Sequence, residues 1–222
     1  MKNLMRENKG WLLFLLLFGV FRTAIADWNP IPSGSMRPSL LEGDVVFVNR
    51  LAYNVKIPLT DVVLARVGEP RRGDVVTFSS PTDGTRLIKR LVALPGDIVE
   101  MRDEQLIING QGASYAAAGT AMEPLAHAAP VAAQRIDETF DGHRRRIQVI
   151  PQLMALRNFG PVTVPRDQFM MLGDNRDRSA DSRVVGMVPR HLLIGRAERV
   201  LASADIDGNW MPRLERFGMK MP

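Results

Sequence analysis

Three short stretches of this 222-residue chain carry side chains whose types and spacing suit chemistry. The first is Pro32-Ser33-Gly34-Ser35-Met36-Arg37-Pro38, where glycine and proline shape the backbone around two hydroxyls. A serine hydroxyl is scarcely ionised at neutral pH, so it attacks a carbonyl only beside a group that takes its proton. Alone, Ser-Gly-Ser is more often a linker than a nucleophile. The second is Leu87-Ile88-Lys89-Arg90-Leu91-Val92, whose alternation sets Lys89 on one strand face with Leu87 and Leu91. A lysine there either snorkels at a sheet edge or, held among apolar neighbours, loses its proton and acts as a base. The third, Gly173-Asp174-Asn175-Arg176-Asp177-Arg178-Ser179-Ala180-Asp181-Ser182-Arg183, alternates acids and arginines after the apolar Phe169 to Leu172. It reads as a polar turn or as a hydrogen-bonded charge network.

Other bases and ligands are scarce. His127 lies in an alanine-rich stretch, His143 beside Arg144-Arg145-Arg146, and His191 after Val188-Pro189-Arg190, so a Ser-His-Asp triad is poorly supported. The chain has no cysteine, which removes disulfides, thiolate metal sites and a cysteine nucleophile. In the third stretch Arg176 stands where a calcium loop needs an oxygen ligand, and the loop's glycine is missing, so no metal and no cofactor is expected. The 29 basic and 24 acidic residues are interspersed, a pattern of solvated surface, and no nucleic-acid partner is expected.

The elements that must position these residues are strands. Short Val- and Ile-rich runs stand beside Gly-Asp turns: Gly43-Asp44 before VVFV, Gly73-Asp74 before VVTF, Gly96-Asp97 before IVEM, and Gly173-Asp174 after FMML. The class is mainly β. Asn109-Gly110 after QLII signals a hairpin turn. Residues 111–134 hold ten alanines and one aromatic, too little apolar surface to order independently, and read as a loop within an insertion at 103–162. Ile147 to Ile150 and Val162 to Val164 are further short strands there, and Arg144 to Arg146 read as an exposed strand or turn edge.

Ahead of this lies Trp11 to Phe21, eleven residues without charge behind a basic start. The run is short for a span, and Ala24-Ile25-Ala26 offers a cleavage site after which Asp27 would begin the chain. A retained anchor instead recruits Leu4 and Met5 at one end and a snorkelling Arg22 at the other. The basic flank would stay in the cytoplasm and the rest lie outside.

Taken in order, IPSGSM at 31–36, RGDVVTF at 72–78, IKRLVALPGD at 88–97 and GDNRDRSADSR at 173–183 resemble the boxes of bacterial type I signal peptidases, membrane-bound Ser-Lys endopeptidases that remove signal peptides from exported proteins. The resemblance implies Ser35 as nucleophile, Lys89 as general base, Ser33 as the side-chain donor to the oxyanion hole and Ser179 as the group orienting Lys89. Asp181 and Arg183 match a supporting ion pair, Asp174 and Arg176 a charged turn, and Ile31, Met36, Leu40 and Ile88 the lining of small apolar substrate pockets. Ser39 stands where the family usually has threonine.

The implied architecture is a signal-peptidase-like catalytic β core at 27–102 and 163–204, an inserted loop-rich subdomain at 103–162, a tail at 205–222, and one N-terminal membrane helix within 1–26. That helix would anchor the chain once in the cytoplasmic membrane, with the core on the extracytoplasmic face. The implied partners are the bilayer and the signal peptides of preproteins cut after A-x-A sites. A Ser-Lys peptidase dedicated to a single pilin or conjugation protein is the alternative.

Overall fold

The computed structural model describes residues 8–58, 60–125 and 128–221. Leu4, Met5 and His127 lie outside the described residues.

Helix α1 spans Lys9–Ala24 and ends where Ala26 enters strand β1 (Ala26–Pro30). Sixteen residues rise about 24 Å, short of the roughly 30 Å of a bilayer core. Among the described residues no helix is long and apolar enough to cross a membrane. The expected membrane helix is therefore not shown as a span: β1 pairs with β2 from Ala26↔Asn49 onward, which stops the helix. Little of α1 is covered, since none of its residues is buried.

The body is mainly β, as expected. The remaining strands are β2 (Asp44–Asn49), β3 (Asn54–Lys56), β4 (Val63–Arg66), β5 (Val75–Ser79), β6 (Arg86–Ala93), β7 (Ile98–Arg102), β8 (Gln105–Ile108), β9 (Gln111–Gly112), β10 (Ser114–Leu125), β11 (Ala128–Phe140), β12 (His143–Val149), β13 (Phe159–Thr163), β14 (Gln168–Leu172), β15 (Val188–Pro189) and β16 (Leu193–Ser203). A one-turn helix, α2 (Ser182–Val185), follows β14. A seven-stranded sheet in the order β1-β2-β16-β5-β6-β14-β15 carries the VVFV, VVTF and FMML runs, and IVEM and QLII lie in sheet β13-β7-β8-β9, beside sheets β10-β11-β12 and β3-β4. Three of the four Gly-Asp turns use their glycine for backbone freedom: Gly43, Gly73 and Gly96 take positive φ. Asn109 and Gly110 also take positive φ and close the β8–β9 hairpin with Ile108↔Gln111.

Strand β6 is the hinge of the packing. Leu87 and Leu91 join one apolar cluster with Val76, Phe78 and Met171, Ile88 packs on a second with Ile31, Met36 and Leu40, and Val92 enters a third with Val99 and Leu106. Residues between these clusters are shielded from water on both sides.

The alanine-rich stretch departs from expectation. It is no loop: β10 and β11 form a long antiparallel ribbon from Ser114↔Thr139 to Leu125↔Ala128. Low apolarity did not prevent order because β11 also pairs with β12 along Gln134↔Val149 to Phe140↔His143, and Ile147, Val149 and Phe140 are buried. The arginine triplet on β12 is only partly an exposed edge. Arg145 is buried against Glu138, while Arg144 and Arg146 pair with Asp137.

Candidate active site

Ser35 sits in a single 3-10 turn, Gly34–Met36, entered through an extended Ser33 and closed by the Arg37 N–H donating to Gly34 O at 3.1 Å. Leu40 N–H then bonds Met36 O, and the Arg37–Pro38 peptide is cis. Ser33 is exposed and its hydroxyl makes no cap bond, so it stays available to a bound carbonyl oxygen. Met36 is fully buried and fixes the turn to the core.

Lys89, opposite Val76 in the β5–β6 ladder, is only 3% exposed. Its ammonium nitrogen reaches Ser35 Oγ at 2.8 Å and Ile88 O at 2.9 Å. Burial pulls its pKa down to about 8, against the opposing pull of Asp181 and then Asp174. The snorkelling alternative is thereby excluded: the side chain points into the protein and onto the serine.

The third stretch forms the wall behind both. Asn175 N–H donates to Ser35 O at 3.1 Å and its side-chain amide to Gly34 O at 3.0 Å, clamping the Ser35 turn twice. Gly173 is needed by close approach, since a Cβ there would lie 2.2 Å from Ser179 Oγ and 2.6 Å from Ser35 O. Asp181 accepts from Gly173 N–H at 2.9 Å and pairs with Arg183 at 2.7 Å. Burial pushes the Asp181 carboxyl up, but Arg183 and that N–H together hold it below its ordinary range.

Asp174 and Arg176, matched together in the sequence, do not pair with each other. Asp174 takes Arg90 in a buried bidentate pair at 2.7 and 2.8 Å. Arg176 pairs with Glu138 of β11 at 2.8 Å. Burial raises the Glu138 pKa, yet Arg176 and Arg145 overcome it and hold it at about 2.

Ser179 is near this group but Lys89 donates elsewhere. The Ser179 Oγ is buried with no hydrogen bond of ordinary geometry, close enough to Asp181 to help lower that carboxyl. Ile31, Met36, Leu40 and Ile88 do come together in one cluster. Ile31, Met36 and Leu40 are closed to solvent and underlie the turn, and Ile88 alone of the four keeps a partly open surface.

Sequence reasoning passed over Arg90 and Asn175. Arg90 neighbours Lys89 on the other face of the strand, and a buried arginine is signalled only by its distant partner. Asn175 had a fainter cue, an amide placed directly after a Gly-Asp turn. Among the described residues no group of acids and histidines is arranged to hold a metal.

The chain compares closely with known proteins along nearly its whole length. Residues 5–202 match the family model described as signal peptidase, peptidase S26. Signal peptidase I of Pseudomonas fluorescens is 32% identical across 97% of this chain and 79% of its own. That of Pseudomonas aeruginosa is 31% identical over the same shares. A crystal structure of a signal peptidase I from Enterococcus faecalis, 31% identical, covers 58% of this chain and 96% of its own with a TM-score of 0.35. A hydroxyl held by a buried lysine thus occurs in a chain that belongs to the signal peptidase family, peptidase S26, and is a serine endopeptidase.

Proposed function

We propose that this endopeptidase removes N-terminal signal peptides from exported proteins after A-x-A type sites, with Ser35 as nucleophile and Lys89 as general base. The 2.8 Å contact between Lys89 Nζ and Ser35 Oγ in a buried setting carries the reading. A neutral Lys89 takes the Ser35 proton as Oγ attacks the carbonyl carbon. The oxyanion is met by the free Ser33 hydroxyl and the Ser35 N–H. Lys89 then returns the proton to the departing amine, leaving an ester on Ser35, and a water deprotonated by the same lysine hydrolyses it. Ile88, the open member of the apolar cluster, borders the place of a small side chain before the cleaved bond, over a floor set by Ile31, Met36 and Leu40.

Membrane association belongs to the same proposal. Trp11, Phe14 and Phe18 line one exposed side of α1 in ring-to-ring contact, an apolar surface suited to lipid. Arg22 lies over the Trp28 ring at 4.4 Å and pairs with Asp27, so it ties the helix to the β body. The core then sits at the extracytoplasmic face, where signal peptides emerge.

The test is cleavage of a purified preprotein by the wild type and by Ser35→Ala and Lys89→Ala. Both variants are expected to lose activity while keeping membrane association and fold. Activity retained in Lys89→Ala removes the base. N-terminal sequencing of the membrane fraction decides the anchor, with Asp27 as the first residue showing that α1 is cut away.

A further inference from the structure

The β10–β11 ribbon supplies no reacting group, yet its far end is fastened to the nucleophile turn. Glu123, with a side chain 1% exposed, pairs with Arg37 at 3.1 Å, two residues beyond Ser35. Arg178, next to Ser179, donates to Pro124 O at 2.7 Å. The register pairs Glu123 with Val131 and Ala121 with Ala133, so these four share the face turned to the body. Ala133 is fully buried there, while Met122 on the other face is exposed.

Arg37 transmits position because it folds back on its own turn. Its side chain, paired also with Glu42 at 2.7 Å, lies so close over Gly34 that a Cβ there would meet Arg37 Cδ at 3.2 Å and Glu42 Oε1 at 2.9 Å. A displaced guanidinium therefore presses on the backbone that carries Ser35. Glu42 belongs to the same segment and moves with it. Glu123 comes from 86 residues away and refers the turn to the ribbon, which is itself tied to the core through Glu138, Arg145 and Arg176.

We infer that Glu123 is a positioning residue for the hydrolytic step, holding Ser35 in line with Lys89 through Arg37, and that the alanine-rich ribbon is the strut that places it. Small side chains on the inward face let the ribbon lie close enough for a glutamate to reach the turn. The inference rests on Ser35 being the nucleophile.

The test is steady-state cleavage of a preprotein by the full chain in detergent, with rates taken per folded molecule. Glu123→Gln removes the charge at constant shape and is expected to lower kcat about 10-fold, as small misplacements of a reacting group do, with KM little changed. The pH midpoint set by Lys89 stays where it is, and Glu123→Asp recovers part of the rate. Arg37→Gln slows the enzyme similarly, and the double variant is no slower than either alone, as expected of two residues acting as one. Met122→Lys, on the outward face, keeps the wild-type rate. Wild-type kcat in Glu123→Gln, multiplied losses in the double variant, or an equal loss in Met122→Lys overturns the inference while wild-type cleavage still supports the enzyme. Cleavage surviving in Ser35→Ala overturns the proposed nucleophile, and the inference with it.

Discussion

The base role proposed for Lys89 ties activity and stability to pH in the same sense, both rising in alkali. With its pKa near 8 rather than the ordinary 10.5, about one molecule in eleven carries the neutral amine at pH 7, and about ten in eleven at pH 9. An unshifted lysine would be neutral in about three molecules in ten thousand at pH 7, so burial raises the competent fraction about 300-fold. The wild-type kcat/KM is expected to rise about 10-fold from pH 7 to 9 along a single-proton limb with its midpoint near 8. Stability moves in the same direction. The folded pKa lies below the unfolded one, so the unfolded chain holds the proton more readily, and the penalty is full below 8 and fades as pH rises to 10.5. That interval is worth about 3 kcal/mol, of which the lost bonds to Ser35 Oγ and Ile88 O offset about 1. Lys89→Met is thus expected to be inactive and about 2 kcal/mol more stable at pH 7, with the gain gone by pH 10.5, read by urea unfolding across pH. A flat rate profile, a midpoint near 10.5, or a Lys89→Met variant equally destabilised at both pH values refutes the reasoning.

Three further outcomes are expected. Ser33→Ala should lower kcat by about 10² to 10³ with little change in KM if its hydroxyl meets the oxyanion, and an unchanged kcat removes that role. Gly173→Ala should lose both activity and thermal stability, because its Cβ would meet Ser35 O at 2.6 Å and a backbone oxygen cannot swing aside as a flexible side chain does. Arg183→Gln should free the Asp181 carboxylate from its partner, raise the Lys89 pKa, and move the acid limb of the rate profile to higher pH. Slow cleavage at pH 7 that recovers in alkali is the expected signature, and an unmoved limb contradicts it.

Local chemistry made much of the core legible, and long-range pairing explains most of what was not. Gly43, Gly73 and Gly96 announce turns because their positive φ suits glycine, and the Val-rich runs beside them become strands whichever partner they find. Ser35 and Lys89 each admit a plain structural reading, and 54 residues separate them, so sequence alone cannot bring them to 2.8 Å. The ribbon was illegible for the opposite reason. Its alanines carry little signal of their own, and its order depends on β12 and on the Glu138, Arg145 and Arg176 cluster, which only the fold assembles. Arg90 was passed over for the same reason: its burial with Asp174 depends on a partner 84 residues away. The end of α1 was set by β1, whose pairing with β2 takes over at Ala26 whatever the apolar run ahead of it prefers.

A lysine base, the role proposed for Lys89, faces a contradiction that this arrangement resolves. Lys89 must be buried to lose its proton, but the clamp that steadies Ser35 is built from a stretch rich in acids, and each nearby carboxylate favours the ammonium. Asp181 and Asp174 both pull Lys89 in that direction. Each has its own arginine, Arg183 at 2.7 Å and Arg90 at 2.7 Å, which absorbs most of the negative potential before it reaches Lys89. The acids therefore serve as backbone acceptors and anchors, as in the Asp181 bond from Gly173 N–H, without restoring the lysine's charge. This accounts for the alternation of acids and arginines in the third stretch better than a polar turn does. A solvated turn needs charges of either sign in any order, whereas a clamp beside a neutral lysine needs every buried carboxylate matched by a guanidinium.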